Sequence, residues 1–465
     1  KKTTMLKRIS LIKNTNGFVS KRSLFGVVKT SNQIYRNNNN NFNLNKRSFA
    51  SKKKQKIEPG YVSTADVEFT QKFEFFGEPT EIIPAYQILD MEGNVLDKKQ
   101  EPDLSKEELL KMYKTMVELL NTDNVLYDLQ RQGAVSFYMT SYGEYAMHVG
   151  SAAAMSDQDI VYGQYREAGV LMYRGFTIQD ICNQCYSNEF DIGKGRQMPV
   201  HYGSRALNYH TISSPLSTQI PQAAGAAYAR RYLANDNDHI TMCYFGDGAA
   251  SEGDFHAALN FAATLETPTI FFCRNNRYAI STPVREQYRG DGIAARGPGY
   301  GVRTIRVDGN DALAVYAATK AAREQAVKDG RPILIEAMSY RIGHHSTSDD
   351  STRYRESSEI ENWDKTNNPL HRLKAYLKNR GWWDDESDAE LHKNARKEVL
   401  KAMKVADKAK KPPVDQLFTD VYDTLPPHLQ RQQTEFLEHL KKYEDKYDTS
   451  SHQDSDKWQP GVGAR

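Results

Sequence analysis

The chain has 465 residues, 39% of them hydrophobic, enough for a sizeable core and, at roughly 150 residues per domain, for about three domains. Its apolar runs fall well short of the ~20 residues that cross a bilayer, which argues for a soluble protein, and four scattered cysteines do not make a disulfide framework. The net charge of +3 hides an asymmetry: residues 1–57 hold no Asp or Glu and fifteen of the 62 Lys and Arg, leaving 47 basic against 59 acidic groups elsewhere, a balance of −12.

In chain order, residues 1–57 come first. They are basic, acid-free and rich in hydroxyls and Asn, with a tract from Asn37 to Asn41. That is the composition of a mitochondrial transit peptide, removed or disordered in the mature protein. Arg47-Ser48-Phe49-Ala50-Ser51 offers a cleavage point. The alternative is a basic tail for nucleic acid, but the acidic body would be repelled by phosphates. Residues 58–104 read as an extended arm with a hairpin turn at Glu92-Gly93-Asn94. Ser105 and Glu108 form a capping box. The apolar spacing from Leu109 predicts a helix to about Arg131, stopped by Gly133.

From about 137 to 345 two periods alternate. Short β-rich runs at Thr241–Phe245, Thr269–Cys273, Thr304–Val307 and Ile333–Ala337 are separated by helical stretches such as Phe255–Leu265 and Ala312–Val327. This predicts an α/β fold, a mainly parallel sheet with helices on both faces, over residues 105–358. Residues 359–447 read as a charged helical region, and 448–465 as a polar, disordered tail.

The chemistry concentrates in "CYFGDGAASEGDFHAALNFAATLETPTIFFCRNNRYAIS". One strand ends at Gly246-Asp247-Gly248 and the next at Asn275-Asn276. Parallel neighbours would bring Asp247 and Asn276 to the carboxyl edge of the sheet, where ligands bind in open α/β folds. A carboxylate and an amide oxygen suit Mg²⁺, which completes its shell with phosphate oxygens and water. The glycines admit phosphates close to the backbone, and the following helix can point its N-terminus at the charge. A lone Gly-Asp-Gly is a weak signal; the pair, one strand–helix–strand apart, is a strong one.

That pattern, with "QYREAG" at 164, "SPLSTQIPQAAGAAYA" at 214, "RNNRYAISTP" at 274, "GPGYG" at 297 and "YRIGHHSTSDD" at 340, resembles the alpha subunits of branched-chain 2-oxo acid dehydrogenase decarboxylating components over about residues 75–445. Pyruvate dehydrogenase alpha subunits share the architecture but word the histidine loop differently. A catalytically silent assembly or regulatory paralogue is the reading from another class, and the intact metal residues and His345 argue against it.

The resemblance implies a thiamine diphosphate fold and a site. Asp247, Asn276 and the carbonyl of Tyr278 would hold Mg²⁺; some relatives have Glu at the first position, an equivalent carboxylate. Gln164, Tyr165, Arg166, Ser214, Leu216, Gly246, Gly248, Ala249 and Arg274 would bind the cofactor, with the two arginines on its diphosphate. Ser213, Pro215, Thr218 and Gln219 would bind K⁺. His345 would be the active-site histidine, in contact with the cofactor, His344 a supporting neighbour, and Ser346 a regulatory phosphorylation site. The family's second serine is replaced here by Glu356, which puts control at that position in doubt. The implied activity is oxidative decarboxylation of the 2-oxo acids of valine, leucine and isoleucine, with acyl transfer to a lipoyl acyltransferase core. A beta subunit would supply the activating glutamate in an α₂β₂ assembly, and a kinase and phosphatase would act on Ser346. The location implied is the mitochondrial matrix. Cys182-Asn183-Gln184-Cys185 reads as helix packing, because no second ligand pair is near, and the residues alone do not decide a role for His201.

Overall fold

The computed structural model describes residues 70–75 and 81–458. The basic segment with its cleavage point, the first part of the arm and the last residues of the tail lie outside the described residues.

Nine strands occur among the described residues: β1 (Ala85–Tyr86), β2 (Ile160–Tyr162), β3 (Tyr209–His210), β4 (Thr241–Gly246), β5 (Thr269–Asn275), β6 (Tyr278–Ala279), β7 (Thr282–Pro283), β8 (Arg303–Asp308) and β9 (Ile333–Met338). Seven form one sheet in the order β1-β8-β9-β5-β4-β2-β3, with every neighbouring pair parallel. β6 and β7 make a separate antiparallel hairpin. The four expected strands are the consecutive inner run β8-β9-β5-β4.

Parallel strands buried on both faces need apolar residues at successive positions. Thr241–Phe245 and Thr269–Asn275 are buried throughout. Their side chains alternate between two cores. Met242, Tyr244, Ile270 and Phe272 join a large cluster with the helices Tyr145–Ala153 and Ala312–Asp329. Cys243, Phe245, Phe271 and Cys273 join a second cluster with Gln219–Leu233 and Gly253–Thr264 on the opposite face. All four cysteines are free and buried, and Cys182 and Cys185 pack within the helix Ile178–Tyr186.

The long helix runs from Lys106 to Arg131, with both halves of the capping box in place: the Glu108 amide donates to the Ser105 hydroxyl and the Ser105 amide to the Glu108 carboxylate. The described part of the arm packs onto the body. Leu89 and Val95 bridge across the turn at Gly93, whose φ is +75°, and β1 adds an edge strand beside β8. A Cβ on Gly93 would lie 2.2 Å from the Tyr376 amide nitrogen, so the turn sits against the helix Pro369–Asn379. Likewise, residues 448–458 are held by the chain rather than free of it. Lys411 bridges to His452, and the Val414 amide donates to Asp454 at 2.9 Å. Polar composition hides such a segment, because main-chain pairing needs no apolar pattern. No helix among the described residues is long and apolar enough to cross a membrane.

Candidate active site

Parallel pairing sets the two motif tips side by side. Gly246 at the end of β4 lies opposite Arg274 in β5, so Asp247 and Asn275-Asn276 leave the same edge. Asp247, Arg274 and Asn276 are all buried. Burial pushes the Asp247 carboxyl up to about 6, and its hydrogen bond from the Gln287 amide, at 2.6 Å, only partly offsets this. A carboxylate so buried gains from a metal cation beside it. The tip is tied inward by Gln164, whose Oε1 accepts from the Gly246 amide at 2.9 Å. The helix Gly253–Thr264 follows only after a 3₁₀ turn at Ala249–Ser251. A Cβ on Gly248 would lie 2.7 Å from that of Ala279 in β6, so this position has no room for a side chain.

Two buried glutamates organise the site. Glu144 sits at the start of the helix Tyr145–Ala153 and Glu167 in the turn after β2. Arg274 donates to Glu144 at 2.5 Å and, through Nε, to Glu167. Glu144 Oε1 accepts from the Asn276 side-chain amide at 2.6 Å and lies 3.6 Å from the Arg166 guanidinium. Burial opposes the charge on Glu144, but Arg274 and Arg166 outweigh it and hold the carboxyl below its usual range. The Glu144 bond also fixes the Asn276 amide: its nitrogen is occupied, and its oxygen accepts from the Tyr278 amide at 3.3 Å. Glu144 does not stand out in the sequence, and Glu167, though inside the "QYREAG" stretch, has no spacing that marks its role.

Arg166 is held open from below, by the carbonyl of Thr140 at 2.5 Å and that of His345 at 2.9 Å. Even so, Arg166 Nε and Arg274 Nη2 are buried and without a hydrogen-bond partner. Unpartnered guanidinium donors beside a carboxylate and an amide on two strand tips are the donor set that a diphosphate–metal pair requires. Thiamine diphosphate with a divalent cation therefore fits these residues.

His345 lies in the loop after β9, 3.4 Å from Arg166 Nη2 and 3.5 Å from Arg341 Nη1 through Nδ1. Burial first, then these two guanidinium groups, pull its pKa down to about 3. Both neighbours are donors only, so Nδ1 accepts and the proton sits on Nε2. His345 is thus a neutral imidazole able to donate from Nε2. Tyr165 packs edge-on to its ring, with centroids 5.9 Å apart. His344 points elsewhere: its Nδ1 accepts from the Ser351 amide at 3.1 Å. Ser346 is buried, and its hydroxyl accepts from the Ser348 amide at 3.2 Å.

The segment 213–219 is bonded to β4 and to the turn that follows it. Ser214 hydrogen-bonds His201 Nε2 at 2.9 Å, which connects His201 to this segment. Leu216 is 38% exposed. The Thr218 hydroxyl lies 3.2 Å from both the Ser213 hydroxyl and the Pro215 carbonyl, while Gln219 donates to the Tyr244 carbonyl at 3.0 Å. Ala249, buried, accepts from Ser217 through its carbonyl.

A family model described as "Dehydrogenase E1 component" matches residues 113–415, which takes in every site residue named above. The chain belongs to that family. Among its relatives, the mitochondrial 2-oxoisovalerate dehydrogenase subunit alpha of Dictyostelium discoideum is 56% identical over 410 residues, 88% of this chain and 90% of that one. The human protein of that name is 56% identical over 385 residues, 82% and 86% of the two chains. An alpha 2 subunit from Arabidopsis thaliana is 51% identical over 368 residues, 79% and 78%. As an E1 family member, this chain matches over most of its length relatives that are named for one 2-oxo acid.

Proposed function

We propose that this chain is the alpha subunit of a branched-chain 2-oxo acid dehydrogenase, a thiamine diphosphate enzyme that works with a beta subunit. The observation that carries the reading is the buried cluster of Glu144, Arg166, Arg274 and Asn276 beside Asp247, with two guanidinium donors unpartnered. The names of the relatives favour the branched-chain substrate over pyruvate. When bound, the cofactor supplies the electron sink for decarboxylation.

The chain's own residues do the rest. Asp247, Asn276 and the Tyr278 carbonyl would hold Mg²⁺. Arg166 and Arg274 would neutralise the diphosphate, with Gln164, Tyr165, Gly246, Gly248 and Ala249 shaping the cradle and Ser214 and Leu216 meeting the ring end. His345, neutral and protonated at Nε2, would donate a proton or hydrogen bond to developing negative charge. Ser213, Pro215, Thr218 and Gln219 would provide oxygens for K⁺. A phosphate on Ser346 would place about −1.5 to −2 charge beside His345 and disrupt the loop, the basis for control by a kinase and phosphatase. We assign residues 105–358 to the cofactor domain and 359–447 to a helical region, and place the enzyme in the mitochondrial matrix, its acyl product passing to a lipoyl acyltransferase core.

The test is reconstitution with the beta subunit, thiamine diphosphate and Mg²⁺, assayed on 2-oxoisovalerate and pyruvate. The reading expects turnover of 2-oxoisovalerate with kcat/KM at least about tenfold above that for pyruvate. Preference for pyruvate, or activity untouched by Asp247→Ala, sinks it.

A further inference from the structure

The helix Lys106–Arg131 contributes one carboxylate that touches none of the proposed cofactor or metal residues, yet sits one step behind two of them. Asp123 is completely buried. It accepts from the Tyr138 hydroxyl at 2.9 Å, the Ser141 amide at 2.7 Å and the Tyr145 hydroxyl at 3.5 Å. These contacts pin a strap, residues 138–145, across the long helix.

The same strap grips the histidine loop. Tyr138 and Thr347 exchange main-chain and hydroxyl bonds: the Tyr138 amide donates to Thr347 Oγ1 at 3.1 Å, and the Thr347 amide donates to the Tyr138 carbonyl at 3.0 Å. It also holds Arg166. The Thr140 carbonyl accepts from Arg166 Nη1 at 2.5 Å, and the Ser141 hydroxyl donates to the Arg166 carbonyl at 3.2 Å. Arg166 in turn bonds the His345 carbonyl. A buried carboxylate with three donors is costly to misplace, because any donor it loses stays buried and unpaired. One rigid anchor therefore fixes both ends of the Arg166–His345 contact.

We propose that Asp123 is a positioning residue for the reaction, which through the strap at Tyr138 and Ser141 holds the His345 loop closed and Arg166 aimed. The proposal rests on the roles given above to Arg166 and His345. Asp123→Asn keeps the volume but offers one acceptor in place of two, facing the Ser141 amide or the Tyr138 hydroxyl with a donor.

The experiment is a double-mutant cycle of Asp123→Asn with Thr347→Val in the full chain assembled with its beta subunit. It reads amide hydrogen exchange over residues 343–350 and the kinetics on 2-oxoisovalerate. Asp123→Asn is expected to raise exchange in the loop about tenfold and to lower kcat about tenfold, with KM within about twofold, because the group never meets substrate. Since both variants break one clamp, the double variant should match the worse single one. Additive effects, or unchanged loop exchange with a lowered melting temperature, overturn the proposal. Should Asp123→Asn fail to fold, Tyr138→Phe removes one bond only and is read against the same two outcomes. If the wild-type assembly does not turn over any 2-oxo acid, the functional reading fails, while the exchange cycle still decides whether Asp123 closes the loop.

Discussion

Asp247 shows how one residue's surroundings set a condition on the whole site. Its carboxyl, raised by burial to about 6, sits above the ~3.9 of a free aspartate. Between those values the folded chain keeps a proton that the unfolded chain has shed, so ionising Asp247 in the absence of a cation costs stability as pH rises. A divalent cation reverses the balance, but only the ionised carboxylate is a ligand. As pH falls through about 6 the ion must therefore displace a proton. Calorimetric titration of Mg²⁺ in the presence of thiamine diphosphate should show affinity level above pH 7 and falling about tenfold per unit well below 6. Asp247→Asn should bind weakly with no such slope. A wild-type profile flat down to pH 5 would separate this carboxylate from the metal. Burial and the Arg166 and Arg341 guanidinium groups push His345 the other way, down to about 3.

At the scale of elements, what the sequence announced and what it hid follow from how each is built. The Ser105–Glu108 box and the central strands are local signals, spacings within ten residues, and each reappears within a few residues of its expected bounds. β1 and β3 have two residues each, too short for any period, and were invisible. Glu144 and Glu167 were invisible for another reason: their meaning arises only when the sheet brings them to Arg274, 130 and 107 residues away. The contact between the turn after β4 and the β6–β7 hairpin is similarly non-local and can be probed directly. Gly248 has φ −62°, which any residue tolerates, so Gly248→Ala would act through space alone. Its new Cβ, 2.7 Å from that of Ala279 and 3.4 Å from its Cα, must push the hairpin carrying Tyr278. Overpacking of this kind costs about 1–3 kcal/mol. Melting curves should shift accordingly, and affinity for Mg²⁺–thiamine diphosphate should drop roughly 10- to 100-fold, the usual toll of disturbing a ligand's support. Wild-type affinity in the alanine variant would mean that the hairpin does not shape the site.

For the molecule as a whole, parallel pairing brings the tips of β4 and β5 together at one edge of the sheet, with Asp247 between them and the buried arginines. The segment 213–219 carries Leu216, 38% exposed, and the hairpin turn Ile280, 54% exposed. Apolar side chains left open next to a buried charged cluster are what a second chain would cover, because burying them returns about 25 cal/mol per Å². The reading proposed above, a diphosphate grip on this chain completed by a beta subunit, makes two measurable demands. Titrating the beta subunit into a fixed amount of this chain, with cofactor and Mg²⁺ saturating, should raise 2-oxoisovalerate turnover from background in a straight line that breaks at one beta per alpha. Inorganic diphosphate with Mg²⁺ should bind the isolated chain, since its donors come from this chain alone. The two measurements together decide the division of labour: turnover by the isolated chain would place the whole reaction within one sheet, and failure to bind diphosphate would leave the arginine pair as mere support for Glu144 and Glu167.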